Sequence, residues 1–249
     1  MRRRGEELIA SSPPRLLILA SNSPRRQELL KFLGLSFIVI PPLDLSASRG
    51  NRGVDETPLL GEAPSALVQR LSRIKAEAVA ANLTLLAPSL LSPFDKASQI
   101  IIIAADTVVA LDNTILGKPA NAAEATQMLQ QLRQHSHHVY SGLTVALLSG
   151  EKSLFITRLH QSTVWMRPYT DAEIATYIAS GDPLDKAGAY GIQNKTFAPV
   201  QRLDGCFASV MGLPLGELVV AFKEIDLSLP EIGPLCTSYT GYRCCQNGK

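Results

Sequence analysis

The chain has 249 residues, 46% of them hydrophobic and 18% charged, with 24 basic side chains against 22 acidic ones. That length fits one large α/β domain or two small lobes sharing a cleft, and the apolar fraction suffices for a sizeable core. The composition excludes a disordered polyelectrolyte. A formal net charge of +2 also gives no global charge on which to build a nucleic-acid coat, so any anion site must come from local clustering.

Residues 1–14 read as a flexible leader. Met1-Arg2-Arg3-Arg4 opens like a signal peptide, but Glu6 and Glu7 follow at once, and the apolar run Leu16 to Ala20 is too short for a signal core. No run approaches the roughly 18 apolar residues of a membrane span. The expectation is a soluble, cytoplasmic protein with no membrane partner.

Leu16 to Ala20 has the continuous apolar pattern of a strand buried on both faces. Ser23 as N-cap, Pro24 at the first helical position, apolar residues at Leu29, Leu30 and Leu33, and Gly34 beyond the end predict a helix. Phe37 to Ile40 reads as a second strand. Residues 44–62 carry turn formers and mixed charge and read as a loop. Helical periodicity returns from Pro64 to Asn82, with Leu67, Leu71, Ile74 and Ala78 on one stripe. Residues 83–98, rich in Leu, Ser and Pro, read as a surface insertion.

A strand follows from Ile100 to Ala105, then Asp106-Thr107, then a second strand from Val108 to Leu111 and a turn at Asp112-Asn113. Asn121 with Glu124 three residues on caps a helix from Ala122 to Leu132. Strands are expected at Val139–Leu148 and Phe155–Trp165, and helices at Asp171–Ala179 (capped by Thr170) and Leu215–Phe222. Residues 228–249 read as an irregular tail. Alternating strands and helices with late hairpin-like strands give an α/β class with a mixed twisted sheet and flanking helices. The domain then spans residues 15–227.

Several segments carry candidate chemistry. Ser21-Asn22-Ser23-Pro24-Arg25-Arg26 joins a helix N-terminus, whose free N–H groups accept phosphate oxygens, to two hydroxyls and two guanidiniums. The same turn also reads as a plain capped helix with solvated arginines. Asp106, at the end of the most apolar run, is placed to hold a cation or activate water; alternatively it merely starts a turn. Lys118 and Lys186 stand in small-residue loops that let an anion approach the backbone, and Lys75 lies one position past its helix's apolar stripe. Each also reads as an ordinary surface lysine. The histidines His135, His137, His138 and His160 lack nearby Cys or carboxylate partners and read as structural. Cys206, Cys236, Cys244 and Cys245 form no Cys-x-x-Cys pair and read as reduced thiols.

Five blocks together resemble the Maf-like nucleoside triphosphate pyrophosphatases, in the branch acting on dTTP and UTP. They are Leu19-Ala20-Ser21-Asn22-Ser23-Pro24-Arg25-Arg26-Gln27-Glu28-Leu29-Leu30, Ala105-Asp106-Thr107-Val108-Val109, Gly117-Lys118-Pro119, Asp185-Lys186-Ala187-Gly188-Ala189-Tyr190-Gly191-Ile192-Gln193, and Val210-Met211-Gly212-Leu213-Pro214-Leu215. The resemblance implies an inosine triphosphate pyrophosphatase-like fold with two lobes around a cleft, usually a homodimer. It implies hydrolysis between the α and β phosphates with magnesium or manganese as cofactor. On it, Asp106 is the catalytic base and a metal ligand, and Ser21, Ser23, Arg25, Arg26, Lys75, Lys118 and Lys186 surround the phosphates. Arg26, Thr107 and Gln193 set specificity for a pyrimidine. A second metal-contacting acid is open between Asp44, Asp55 and Glu56, because Asp44 is followed by Leu45 where the family often has paired acids. Asp204-Gly205-Cys206-Phe207 and Tyr140-Ser141-Gly142 also depart from the commoner steps.

Two other functions compete: a catalytically weakened nucleotide-binding regulator of cell division, and a nucleic-acid-binding module. The latter lacks an aromatic-rich basic stripe, with aromatics only 6% of the chain, so no stable nucleic-acid partner is expected.

Overall fold

A computed structural model describes residues 15–44, 52–86, 98–112, 114–229 and 231–243. The leader, residues 87–97 of the expected insertion, and Cys244 and Cys245 lie outside them. A seven-stranded mixed sheet organises the rest. Its first strand, β1 (Arg15–Leu19), pairs in parallel with β2 (Ile38–Val39) and with β5 (Gln99–Leu111). Further along, β5, β7 (Ser136–Ser149), β8 (Lys152–Met166) and β9 (Val200–Asp204) form an antiparallel run, and β6 (Thr114–Leu116) pairs with the far end of β5.

The two-residue period of a strand divides the core in two. Leu17, Leu19, Ile101, Ile103, Leu143 and Val145 face the larger apolar cluster. There they meet α1 (Pro24–Phe32), α3 (Ala122–Leu132), α4 (Asp171–Ala179), α5 (Phe207–Met211), α6 (Leu215–Lys223) and α7 (Ile232–Thr240). Ile18, Ala20, Ile102, Ala104 and Ala146 face the other way, against Ala76, Val79 and Leu83 of the long helix α2 (Pro64–Leu86). Gly142 on β7 sets how closely that helix sits: a Cβ there would lie 2.1 Å from the Val68 carbonyl oxygen, so only glycine admits the contact.

The expected helix caps at Asn121 and Thr170 are present, each side chain accepting the N–H of the residue three positions on. Several expectations need correction. Residues 83–86 continue α2 instead of opening an insertion. The 44–62 stretch contains a short antiparallel pair, β3 (Leu43–Asp44) with β4 (Arg52–Gly53). The two expected strands around Asp106 are one strand of 13 residues, because β7 pairs alongside it without interruption from Gln99 to Ala110. The tail is not irregular throughout: α7 packs Tyr239 against Phe32, their ring centroids 4.6 Å apart, and hydrogen-bonds Glu28 through the Tyr239 hydroxyl. Strand β9 and helix α5 were also not anticipated.

No helix among the described residues is long and apolar enough to cross a membrane.

Candidate active site

The cover on β5 changes along its length, and this makes the cleft. Leu19 of β1 pairs with Ile103, and Ala20 donates its N–H to the Ile103 carbonyl. Pairing on that edge resumes only at Val109, opposite Leu116 of β6. Between them, no described strand pairs with Ala104–Val108 on the β1 side. A cleft of about 680 Å³ opens over this gap, within the usual size range of small-molecule sites.

Ser21, Ser23, Arg25, Arg26, Glu56, Lys75, Asp106, Thr107, Lys118, Lys186 and Gln193 all line it. Sequence-distant segments therefore converge as expected. Asp106 is not at a strand end but within a continuous ladder, opposite Gly142; the change from apolar residues to Asp-Thr marks where β1 stops covering its neighbour. Glu56 lines the cleft, and Asp44 ends β3.

The first wall is the turn into α1. Ser23 holds the N-cap backbone position, yet its side chain makes no capping bond. Ser21 Oγ instead accepts from the Ser23 N–H at 3.1 Å and from Arg26 Nη1 at 3.3 Å. The first turn of α1 thus keeps backbone donors without a side-chain cap, the arrangement that receives an anion. Arg26 is anchored by Nε donating to the Gly212 carbonyl at 2.8 Å. Burial lowers its pKa from the ordinary value, with Asp106 opposing and Arg25 adding to that shift. A guanidinium stays charged regardless.

The opposite wall carries the acid. Lys75 Nζ, on α2, lies 2.6 Å from Asp106 Oδ1 and 2.6 Å from Glu56 Oε1. Asp106 and Lys75 are buried, so the ammonium offsets a carboxylate charge that burial alone would penalise. Glu56 is delivered by a loop fastened to α2. Arg70 Nε and Nη2 each donate to Glu62 at 2.7 Å, and Nη2 also reaches the Thr57 carbonyl at 3.0 Å. The hydrogen bond from Arg70 pulls the Glu62 pKa down to about 2.

The two loop lysines differ. Lys186 Nζ donates to the Asp182 carbonyl at 2.6 Å, Asp182 Oδ1 at 2.9 Å and Asp185 Oδ1 at 2.7 Å. An ammonium has three protons, so Lys186 must exchange a partner before touching a ligand. Asp185 also takes Arg25 Nη1 at 2.9 Å, which joins Arg25 to the lysine loop. Burial pushes the Asp185 pKa up, but hydrogen bonds from Lys186 and Arg25 outweigh it and hold it low. Lys118 is exposed and has no acid within ion-pair distance among the described residues.

Sequence reasoning missed the shelf of Ile192, Val210 and Met211 as cleft lining. It also missed the partner of Tyr190: His137 Nε2 lies 2.8 Å from the Tyr190 hydroxyl beneath the cleft. Cys206 accepts the Ser209 N–H at 3.4 Å and so caps α5, whose last turn leads into Gly212. No group of three or more His, Cys, Asp or Glu among the described residues is placed to hold a metal ion by itself.

A mixed α/β sheet whose open strand edge sets a buried acid opposite an uncapped, arginine-bearing helix turn defines an anion-binding cleft of the kind used for phosphorylated ligands. The chain belongs to the Maf-like protein family, whose model matches residues 16–225. It is 38% identical over 214 residues to a protein of Pelotomaculum thermopropionicum named dTTP/UTP pyrophosphatase, covering 86% of this chain and 98% of that one. Proteins of the same name from Bacillus cereus strain ZK / E33L and Bacillus anthracis are 40% and 39% identical over 215 residues, again covering 86% of this chain and 98% of each relative.

Proposed function

We propose that the chain hydrolyses dTTP, UTP and modified pyrimidine nucleoside triphosphates to monophosphate and pyrophosphate, a house-cleaning activity in the cytoplasm, acting as a homodimer. The observation that carries this reading is the convergence of the Ser21–Arg26 turn and Asp106 on one cleft; the printed names of the relatives supply the substrate class.

In this reading the triphosphate lies along the first turn of α1, with Arg25, Arg26 and the exposed Lys118 offsetting its charge. Asp106 Oδ1 is held by Lys75, leaving Oδ2 to accept a proton from water as the water oxygen attacks the α-phosphorus. The bond to the α–β bridging oxygen breaks and pyrophosphate departs with that electron pair. Positioning and preorganised charge account for most of the acceleration, as in phosphoryl transfer generally.

The residues present suit a divalent cation. Glu56 and Asp106 offer hard oxygen donors converging on one positive group, the Lys75 ammonium, and one or two carboxylates plus substrate phosphates form the usual donor set for magnesium or manganese. When bound, such an ion stabilises negative charge on the phosphates.

A panel of standard and modified nucleoside triphosphates, assayed for pyrophosphate release with magnesium, tests the proposal. The Asp106→Asn variant should lose about 10²–10⁴-fold in turnover, the range expected of a general base, while keeping its fold by circular dichroism. Near-normal turnover in that variant would refute the role of Asp106.

A further inference from the structure

Thr107 and Ser141 face each other across β5 and β7, on the side of the sheet away from α2. Their hydroxyl oxygens are 2.8 Å apart, and Ser141 Oγ also lies 2.8 Å from the Ser209 carbonyl oxygen. Proton counting settles the direction. A serine hydroxyl has one proton, and a carbonyl can only accept, so the Ser141 proton goes to Ser209. Thr107 must therefore give its own proton to Ser141. What Thr107 then turns toward the cleft it lines is lone pairs alone. Ser141 is fully buried, so no water competes to reverse the chain.

The same Ser209 carbonyl accepts the Gly212 N–H at 2.9 Å, and the Gly212 carbonyl holds Arg26 Nε at 2.8 Å. The Thr107 hydroxyl is thus tied through the end of α5 to the arginine of the helix turn. The cleft that Thr107 lines also carries the apolar side chains of Ile192, Val210 and Met211, which suit the face of a planar base.

We propose that Ser141 is a specificity-determining positioning residue: it fixes the Thr107 hydroxyl as an acceptor, so that the cleft selects a base presenting an N–H. The imide N3–H of uracil and thymine satisfies that acceptor. The N3 of cytosine is itself an acceptor and places two lone pairs against each other. This inference rests on the pyrimidine nucleotide reading above and adds the atom that distinguishes one pyrimidine from another. A buried polar group left unpaired by the wrong base is an effective source of rejection.

The test is the ratio of kcat/KM for UTP to that for CTP, measured by pyrophosphate release with the full chain. Ser141→Ala frees the Thr107 proton to turn toward the cleft, and the ratio should fall about ten-fold, the equivalent of one neutral hydrogen bond. Ser141→Thr keeps a single hydroxyl proton and should retain the wild-type ratio. Thr107→Val removes the acceptor without changing shape and should lower the ratio as Ser141→Ala does, which covers the case where the alanine variant does not fold. N3-methyl-UTP, lacking the donor, should be hydrolysed by wild type no better than CTP. Hydrolysis of UTP with the wild-type ratio preserved in both Ser141→Ala and Thr107→Val would overturn this inference and leave the pyrophosphatase reading intact. Release of pyrophosphate from no nucleotide by wild type would overturn both.

Discussion

Acid sensitivity should trace in large part to one buried imidazole. His137 is 1% exposed, and its Nδ1 is buried without a hydrogen-bond partner while Nε2 meets Tyr190. Burial, aided by the neighbouring His138, lowers its pKa from 6.5 to about 3. The sign follows from linkage: the unfolded chain binds this proton at a higher pH than the folded chain does. Stability is therefore whole above the unfolded pKa, and is lost as pH falls below it toward the folded value. Between about pH 7.5 and about pH 5 the folded imidazole stays neutral while the unfolded one charges, which removes about 2 kcal/mol. In urea unfolding that is a midpoint shift of about 1 M. His137→Gln, which keeps an amide to pair with Tyr190 but cannot titrate, isolates the effect, because other groups cancel in the difference between variant and wild type. Its midpoint should shift less than that of wild type by about the amount above. Parallel shifts in the two proteins, or a wild-type His137 resonance titrating near its ordinary pKa by NMR, would refute the reasoning.

Other expectations concern the site. Gly142→Ala puts a methyl group against the Val68 carbonyl; it should destabilise by about 1–3 kcal/mol in thermal or urea unfolding and lower kcat by displacing the helix that carries Lys75. Arg70→Ala releases Glu62 and the Thr57 carbonyl, and should raise the magnesium concentration needed for half-maximal activity by about ten-fold, a loss equivalent to one hydrogen bond, with a small effect on turnover at saturating metal. The Arg70–Glu62 pairing is present above the unfolded carboxylate pKa of 4.5 and lost only as pH falls toward about 2, so hydrogen exchange in residues 54–62 should rise in Arg70→Ala but not in wild type at about pH 5. Arg26→Lys cannot keep both the Gly212 carbonyl and Ser21 in the fork geometry seen here; KM for the triphosphate should rise about ten-fold or more in steady-state assays.

Much of the framework was legible because local chemistry and tertiary environment agree. Ser23-Pro24 and Gly34 do mark the ends of α1, and Asn121 and Thr170 are caps. What failed had non-local causes. Asp106 and Thr107 look like an interruption after an apolar run, but their backbone is held by β7, more than thirty residues on in the chain. The tail shows weak helical signals, and α7 gains its place from contacts with Phe32 and Glu28. In the site, residue types announced an anion pocket, whereas the place of Glu56 in the cleft depends on a loop that Arg70 fastens through Glu62 and the Thr57 carbonyl. The pairing of His137 with Tyr190 links residues 53 apart and leaves no spacing pattern to read.

The bare stretch of β5 has a mechanical consequence. The acid and the hydroxyl are consecutive residues of one strand, about 3.4 Å apart along it and on opposite faces. The arginine turn and the lysine loops stand on separate segments of the chain, whereas the offset from Asp106 to Thr107 is locked covalently and by the ladder to β7. On the proposed reading, a base seated against the hydroxyl and a water held by the acid are both registered to this strand, so recognition and cleavage share a single ruler.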